Sequence, residues 1–266
     1  MAAGTRRLEA AECDTPRLDA ELLVSEALGA DRGALYAHPG RELTGSAERR
    51  LAELLERREA REPVAYLLGR RAFRFLELAV DRRVYIPRPE TELLVEIGLE
   101  LPSGARVHEV ATGSGAVALA LLDERPDLRV SASDASLDAV TVARHNAERL
   151  GLELDVVVGV GLPPEARDVD LVLANLPYVR EDEWMDLAPE IRAHEPREAL
   201  LAGSAGLDAI EALVGGVPPG TRIALEHGAG QAAAVRALLD GGETRRDLAG
   251  LDRVTLGRTP DASARS

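Results

Sequence analysis

Thr112-Gly113-Ser114-Gly115 sets two glycines and two small hydroxyls between Arg106-Val107-His108-Glu109-Val110, read as a short strand, and an alanine- and leucine-rich run. Small residues in such a place let the backbone approach a ligand, and the helix that follows offers free N–H donors at its start. Gly113 and Gly115 with Ala118 also satisfy the loose dinucleotide fingerprint. Asp134 falls roughly 20 residues further on, where a carboxylate accepts hydrogen bonds from ribose hydroxyls. These residues point to a nucleotide-containing cofactor, and they leave open whether it is a nicotinamide dinucleotide or S-adenosylmethionine.

Asn175-Leu176-Pro177-Tyr178 separates the two, because it follows Asp170-Leu171-Val172-Leu173-Ala174, read as a strand. In an open α/β sheet, ligands bind beyond the carboxyl ends of the strands, so this tetrapeptide should face the glycine loop. The Asn175 side-chain oxygen and the Leu176 carbonyl can each accept one N–H. Pro177 stiffens the turn, and the Tyr178 ring can stack on a planar group. This chemistry suits an amino or amide nitrogen with hydrogens to donate.

Positioning these groups requires alternating strands and helices. Strands are expected at 106–110, 129–134, 154–158, 169–174 and 221–226, with a last one around 253–256 after a helix and an irregular stretch. Helices are expected at 115–122, from a Ser136 cap to Leu150 with Gly151 as the stop, and near 205–214 and 229–239. Short links between alternating β and α elements imply a parallel sheet covered on both faces. Residues 1–75 read as helices only: Thr15-Pro16 opens one that Gly29 closes, and 46–61 forms another whose Arg and Glu face is expected to be solvated. Phe73, Phe75, Leu78, Val80, Val84 and Ile86 around Asp81-Arg82-Arg83 read as a β-hairpin joining two domains.

The composition narrows the possible classes. The chain has 266 residues and a net charge of −14, and all 32 basic side chains are Arg. Without lysine there is no Schiff base, no P-loop lysine and no Tyr-Lys relay. The net charge argues against stable nucleic-acid binding, which depends on clustered cations. Cys13 is the single cysteine and excludes an internal disulfide; His38, His108, His145, His194 and His227 show no metal-ligand spacing. No secretion signal or membrane span is read, so a cytoplasmic protein is expected.

From about Thr15 to Arg258 the chain resembles the PrmC/HemK family, which N-methylates the glutamine of the Gly-Gly-Gln motif in peptide-chain release factors. The matching residues are Arg17-Leu18-Asp19-Ala20-Glu21-Leu22-Leu23, Pro63-Val64-Ala65-Tyr66-Leu67-Leu68-Gly69 and, most specifically, Ile86-Pro87-Arg88-Pro89-Glu90-Thr91-Glu92. His194-Glu195-Pro196-Arg197, Gly206-Leu207-Asp208 and Asp247-Leu248-Ala249-Gly250 with Arg253 follow in order. The resemblance implies an α/β fold, with a Rossmann-like S-adenosylmethionine-dependent methyltransferase domain preceded by a small all-helical domain and a β-hairpin linker. The expected divisions are 1–71 helical and substrate-docking, 72–86 hairpin, 87–258 methyltransferase and 259–266 a disordered tail. Glu109, Ala111, Thr112, Gly113, Ser114, Gly115, Asp134, Gly161 and Asn175 are then expected to hold the cofactor. Asn175, Leu176, Pro177 and Tyr178 are expected to hold the substrate nitrogen.

The chain departs from the family at Ala111, where a glycine is usual, and at Val160-Gly161-Leu162, where an acid and a bulky residue are common. It departs again at Leu176, where the family has proline, and at His227 within Glu226-His227-Gly228. These changes surround the expected site, so a small amide or amine substrate stays open beside the release factor. Asn-Leu-Pro-Tyr is also similar to the tetrapeptide of rRNA adenine dimethyltransferases, against which the acidity counts. An oxidoreductase reading rests on the glycine loop alone, and a decayed enzyme acting as a binding module would take up no cofactor.

Overall fold

The computed structural model describes residues 1–37 and 42–261, so His38 and the tail from 262 lie outside the described residues. Its backbone divides into two units, Met1–Arg70 with Leu187–Glu195, and Arg71–Asp186 with Pro196–Ser266. The first holds helices α1 (Ala2–Ala10), α2 (Pro16–Leu28), α3 (Arg32–Ala37), α4 (Gly45–Glu59) and α5 (Val64–Leu68). Pro16 occupies the first turn of α2, and Gly29 closes the helix in a left-handed conformation. Leu8, Ala20, Leu23, Leu54, Leu55 and Leu67 form the core of this unit, with Cys13 buried among them. Each buried leucine contributes about 2 kcal/mol.

The charged face of α4 is not uniformly solvated. Arg58 turns inward and is 5% exposed. Its Nε donates to Asp19 at 2.8 Å and its Nη2 to Glu190 at 3.0 Å, while Arg61 donates to the other Glu190 oxygen at 2.7 Å. Glu190 belongs to α9 (Pro189–His194), which comes later in the chain and is held to this unit by those bonds. A buried guanidinium needs such partners, since removing one leaves an uncompensated charge at a cost of about 3–5 kcal/mol. Arg58 is surface-like in sequence only because its partners are distant.

Two short strands, β1 (Arg70–Phe73) and β2 (Leu76–Ala79), pair as a hairpin turning at Arg74-Phe75. The hairpin expected over 72–86 about Asp81-Arg82-Arg83 is therefore corrected: it is shorter and lies earlier. Asp81 makes a separate turn, its carboxylate accepting the Arg83 N–H at 3.0 Å and its carbonyl the Val84 N–H at 3.1 Å. The true turn carries no Gly or Asn to mark it, because Arg74 takes φ +50° itself.

The remaining elements are α6 (Glu92–Leu99), β3 (Arg106–Val110), α7 (Ala116–Glu124), β4 (Arg129–Asp134), α8 (Leu137–Leu150), β5 (Asp155–Val158), β6 (Leu171–Asn175), α10 (Asp208–Gly216), β7 (Arg222–Glu226), α11 (Ala232–Ala237), β8 (Asp240–Arg246) and β9 (Asp252–Arg258). The sheet order is β5-β4-β3-β6-β7-β9-β8, parallel from β5 to β7 and antiparallel for the last two. Both faces are covered, so the first four residues of β6 are all buried. As expected, Ser136 caps α8 by accepting the Ala139 N–H at 3.2 Å, and Gly151 closes it. The irregular stretch expected before the last strand contains β8. Its Asp-Gly-Gly-Glu-Thr-Arg-Arg has no apolar alternation, and only pairing with β9, through a shifted register at the sheet edge, makes it a strand. Thr259, at the start of the expected tail, is buried and donates to the Pro218 carbonyl at 2.6 Å. No helix among the described residues is long and apolar enough to cross a membrane.

The strand order reverses direction between β3 and β6. This switch point brings the loop after Val110 beside the loop after Asn175.

Candidate active site

A cavity of about 710 Å³ opens at the switch point, within the size range of small-molecule sites. Ala111, Thr112, Gly113 and Ser114 line one side, Asp134 and Gly159–Leu162 the next, and Asn175–Val179 the opposite side. All the expected site residues except Gly115 line it. Gly115 packs instead behind the loop, where a Cβ would press on Leu119 and Ala143.

The loop is held from beneath by Glu109. Its Oε2 accepts the Thr112 hydroxyl at 2.5 Å and the Ala118 N–H at 2.9 Å, tying strand, loop and helix together. Burial raises its carboxyl to about 8, against the pull of those two donors. Glu109 thus shapes the loop as well as bordering the cavity. Gly113, at φ +57°, leaves open space where a side chain would stand. Its N–H donates to Asp134 Oδ2 at 2.9 Å, and the Ser136 N–H donates to Oδ1 at 2.9 Å. Each Asp134 oxygen keeps a further lone pair for a hydroxyl. Desolvation raises the Asp134 carboxyl, opposed by the two N–H groups.

Ser114 Oγ is buried with no hydrogen-bond partner among the described residues, and open space surrounds Gly161. An unpaired hydroxyl, a glycine cradle and a poised carboxylate at the end of β4 fit a nucleoside linked to a polar tail, as in S-adenosylmethionine. Val160 is 90% exposed and offers no side-chain acceptor near that end. The 159–162 loop is instead tied back by a network the sequence reading did not assemble. Ser133 Oγ donates to the Gly161 carbonyl at 3.3 Å and so accepts from His108 Nε2 at 2.9 Å. His108 Nδ1 then accepts from Ser131 Oγ at 2.8 Å. Burial lowers the His108 imidazole to about 4, which keeps it neutral. The available signal was the pairing of Ser131 and Ser133, two residues apart on one strand, opposite the single histidine of β3.

On the substrate side, the Asn175 Nδ2 donates to Thr91 Oγ1 at 3.2 Å, leaving Oδ1 as a free acceptor. No hydrogen bond reaches the Leu176 carbonyl among the described residues. Leu176, which stands where the family has proline, thus leaves its carbonyl unbonded among the described residues. Gln231 Nε2 fixes the turn by donating to the Tyr178 carbonyl at 3.0 Å and the Gly206 carbonyl at 3.1 Å. Gly206, at φ +69°, lies so close that a Cβ would overlap the Tyr178 carbonyl. Burial pushes the Tyr178 phenol up, so its ring acts as a neutral surface. His227 is fully buried and bonded to the Gly228 carbonyl and Thr255 at 2.9 Å each, a structural role. Arg197 lies over the Trp184 ring at 5.0 Å, which occupies that side chain in a contact outside the cavity lining.

Ala111 takes φ +59°, a conformation costing an L-residue about 1–2 kcal/mol. Its methyl also borders the cavity. Ala111→Gly should therefore raise stability by about 0.5–1 kcal/mol and tighten cofactor binding. Denaturant midpoints and calorimetric titration check both effects; a weakened affinity would mean that the methyl packs on the cofactor.

Comparison with known proteins gives a consistent frame. The PrmC N-terminal domain family matches residues 1–69, and the methyltransferase small domain family matches residues 89–200. A release factor glutamine methyltransferase of Xylella fastidiosa is 41% identical over 98% of this chain and 97% of its own length. Those of Rhodospirillum rubrum and Bordetella pertussis are 38% and 41% identical, covering 96% and 91% of this chain and 82% and 94% of theirs. Among solved structures, the hMettl16 catalytic domain in complex with a MAT2A 3'UTR hairpin aligns with TM-score 0.52 at 12% identity. It covers 70% of this chain and 76% of that one, a likeness of fold alone.

Proposed function

The chain belongs to the release factor glutamine methyltransferase family, and we propose that Asn175 Oδ1 and the Leu176 carbonyl receive the side-chain amide of the glutamine that it methylates. The enzyme transfers a methyl group from S-adenosylmethionine to the amide nitrogen of the release-factor glutamine. The observation that carries the site assignment is the pair of free acceptors beside the glycine loop, in one cavity.

S-adenosylmethionine supplies, when bound, a methyl group made electrophilic by sulfonium charge. Thr112 to Ser114 would hold its amino-acid end, Asp134 its ribose, and the 159–162 loop its base. An amide nitrogen is a poor nucleophile because its lone pair is delocalised into the carbonyl. Two acceptors binding both N–H groups fix the direction of that lone pair and stabilise positive charge developing on nitrogen. Orientation of this kind can supply roughly 7–11 kcal/mol of the barrier. Once alkylated, the nitrogen is acidic enough to lose its proton without a dedicated base. The helical unit is assigned to docking the release factor, whose size a small amide lacks.

Initial rates on intact release factor, on the same protein with its Gly-Gly-Gln glutamine replaced, and on free glutamine test this assignment. Methylation of the intact protein alone is expected. Equal rates on free glutamine would favour the small-amide alternative.

A further inference from the structure

We propose that Glu226 and Thr91 form a positioning pair that fixes which end of the Asn175 amide faces the substrate. This rests on Asn175 Oδ1 being the acceptor for the glutamine amide.

Glu226 ends β7 and pairs in register with Asn175, which ends β6. Parallel neighbours in register place their side chains on the same face of the sheet. Glu226 is 0% exposed, and neither carboxyl oxygen has a hydrogen-bond partner among the described residues. A buried acid without a partner is costly and calls for a reason. Its surroundings supply one. Thr91 and Asn175 lie near enough to favour the charged form of Glu226 and are bonded to each other.

A hydroxyl alone cannot orient an amide, because it can accept from the nitrogen or donate to the oxygen equally well. In its ionised form Glu226 can only accept, so the pair orients Asn175 when that carboxyl has lost its proton. In the proposed pair the Thr91 hydroxyl turns its hydrogen toward the unpartnered Glu226 carboxylate, so only lone pairs of Thr91 remain for Asn175 and Nδ2 must turn inward. Oδ1 then faces the cavity and meets the substrate N–H. The opposite flip would set an NH2 group against the amide NH2 of the substrate, donor against donor. Burial and the nearby Glu90 raise the Glu226 carboxyl to about 7, while Thr91, Arg253 and Asn175 oppose them.

The test uses the full-length chain with release factor and S-adenosylmethionine. Glu226→Gln keeps the shape but introduces donors, and Thr91→Val removes the hydroxyl. Each should lower kcat by about 10–100-fold, as expected for a misplaced reacting group. KM for release factor should change less, and the Kd for S-adenosylmethionine should not change. Thr91→Ser should restore the turnover that Thr91→Val loses, and the double variant should be no worse than the poorer single one. Wild-type kcat in Glu226→Gln or Thr91→Val, equal losses in Thr91→Ser and Thr91→Val, or additive losses in the double variant would overturn the pair. If Glu226→Gln does not fold, the Thr91→Ser and Thr91→Val comparison, with cofactor binding intact, decides alone. The wild-type reaction run alongside carries the substrate assignment: its failure on release factor strikes that assignment, whereas its success with unaffected variants strikes only the positioning pair.

Discussion

Asn175→Ala is expected to abolish methyl transfer, with kcat falling at least about 10²–10³-fold, while S-adenosylmethionine binds with nearly unchanged affinity. The magnitude is that of removing a preorganised group aimed at charge which develops only in the transition state. Asn175 sits at the carboxyl end of β6, its amide nitrogen bound to Thr91 and its oxygen free. Alanine keeps the strand and the turn, which Gln231 holds through the Tyr178 carbonyl. The Leu176 carbonyl would remain as the only acceptor, able to hold one N–H but not to orient the nitrogen. Single-turnover rates and calorimetry separate the two effects. Equal loss of turnover and cofactor affinity would remove Asn175 from the substrate role and leave it as a cofactor contact.

Asp134→Ala should give the opposite pattern. Cofactor affinity should fall about 10²-fold or more, and turnover at saturating cofactor should be lowered less. Asp134 accepts two backbone N–H groups, from Gly113 and Ser136, so its loss frees the glycine loop and the start of α8 together. Hydrogen bonds to a charged acceptor contribute about 1.5–3 kcal/mol each, and the expected ribose contacts disappear with them. Asp134→Asn retains an acceptor and should lose less. Calorimetric titration of S-adenosylmethionine reads the result. Unchanged affinity in Asp134→Ala would mean that the carboxylate makes no contact with the cofactor and that its bracing of the loop is dispensable for binding.

Much of the catalytic half was legible because its signals are local. Thr112 to Gly115 between strand and helix, Asp134 at a strand end and Asn175-Leu176-Pro177-Tyr178 after a buried strand each announce themselves within a few residues. The Ser136 cap and the Gly151 stop are equally local. What escaped reading depends on partners far apart in the chain. Thr91 and Glu226 meet at Asn175 only through the order of β6 and β7 and the segment before α6. Arg58 looks like a surface residue until Asp19 and Glu190 close on it. β8 is strand-like only beside β9, and the Arg74-Phe75 turn has no residue that favours a positive φ. His227, a departure from the family beside the expected site, is tied to Thr255, and the residue before it carries the unpaired acid. Histidine is flagged by its side chain alone, whereas an orphaned carboxylate is visible only once its surroundings are known.

The reaction moves one methyl group to one amide nitrogen. Tandem mass spectrometry of release factor, after incubation with this enzyme and isotopically labelled S-adenosylmethionine, tests it most directly. A single labelled methyl on the side-chain nitrogen of the Gly-Gly-Gln glutamine is the predicted result. An unmodified glutamine, with label on another residue or on a small amide added to the same reaction, would contradict it.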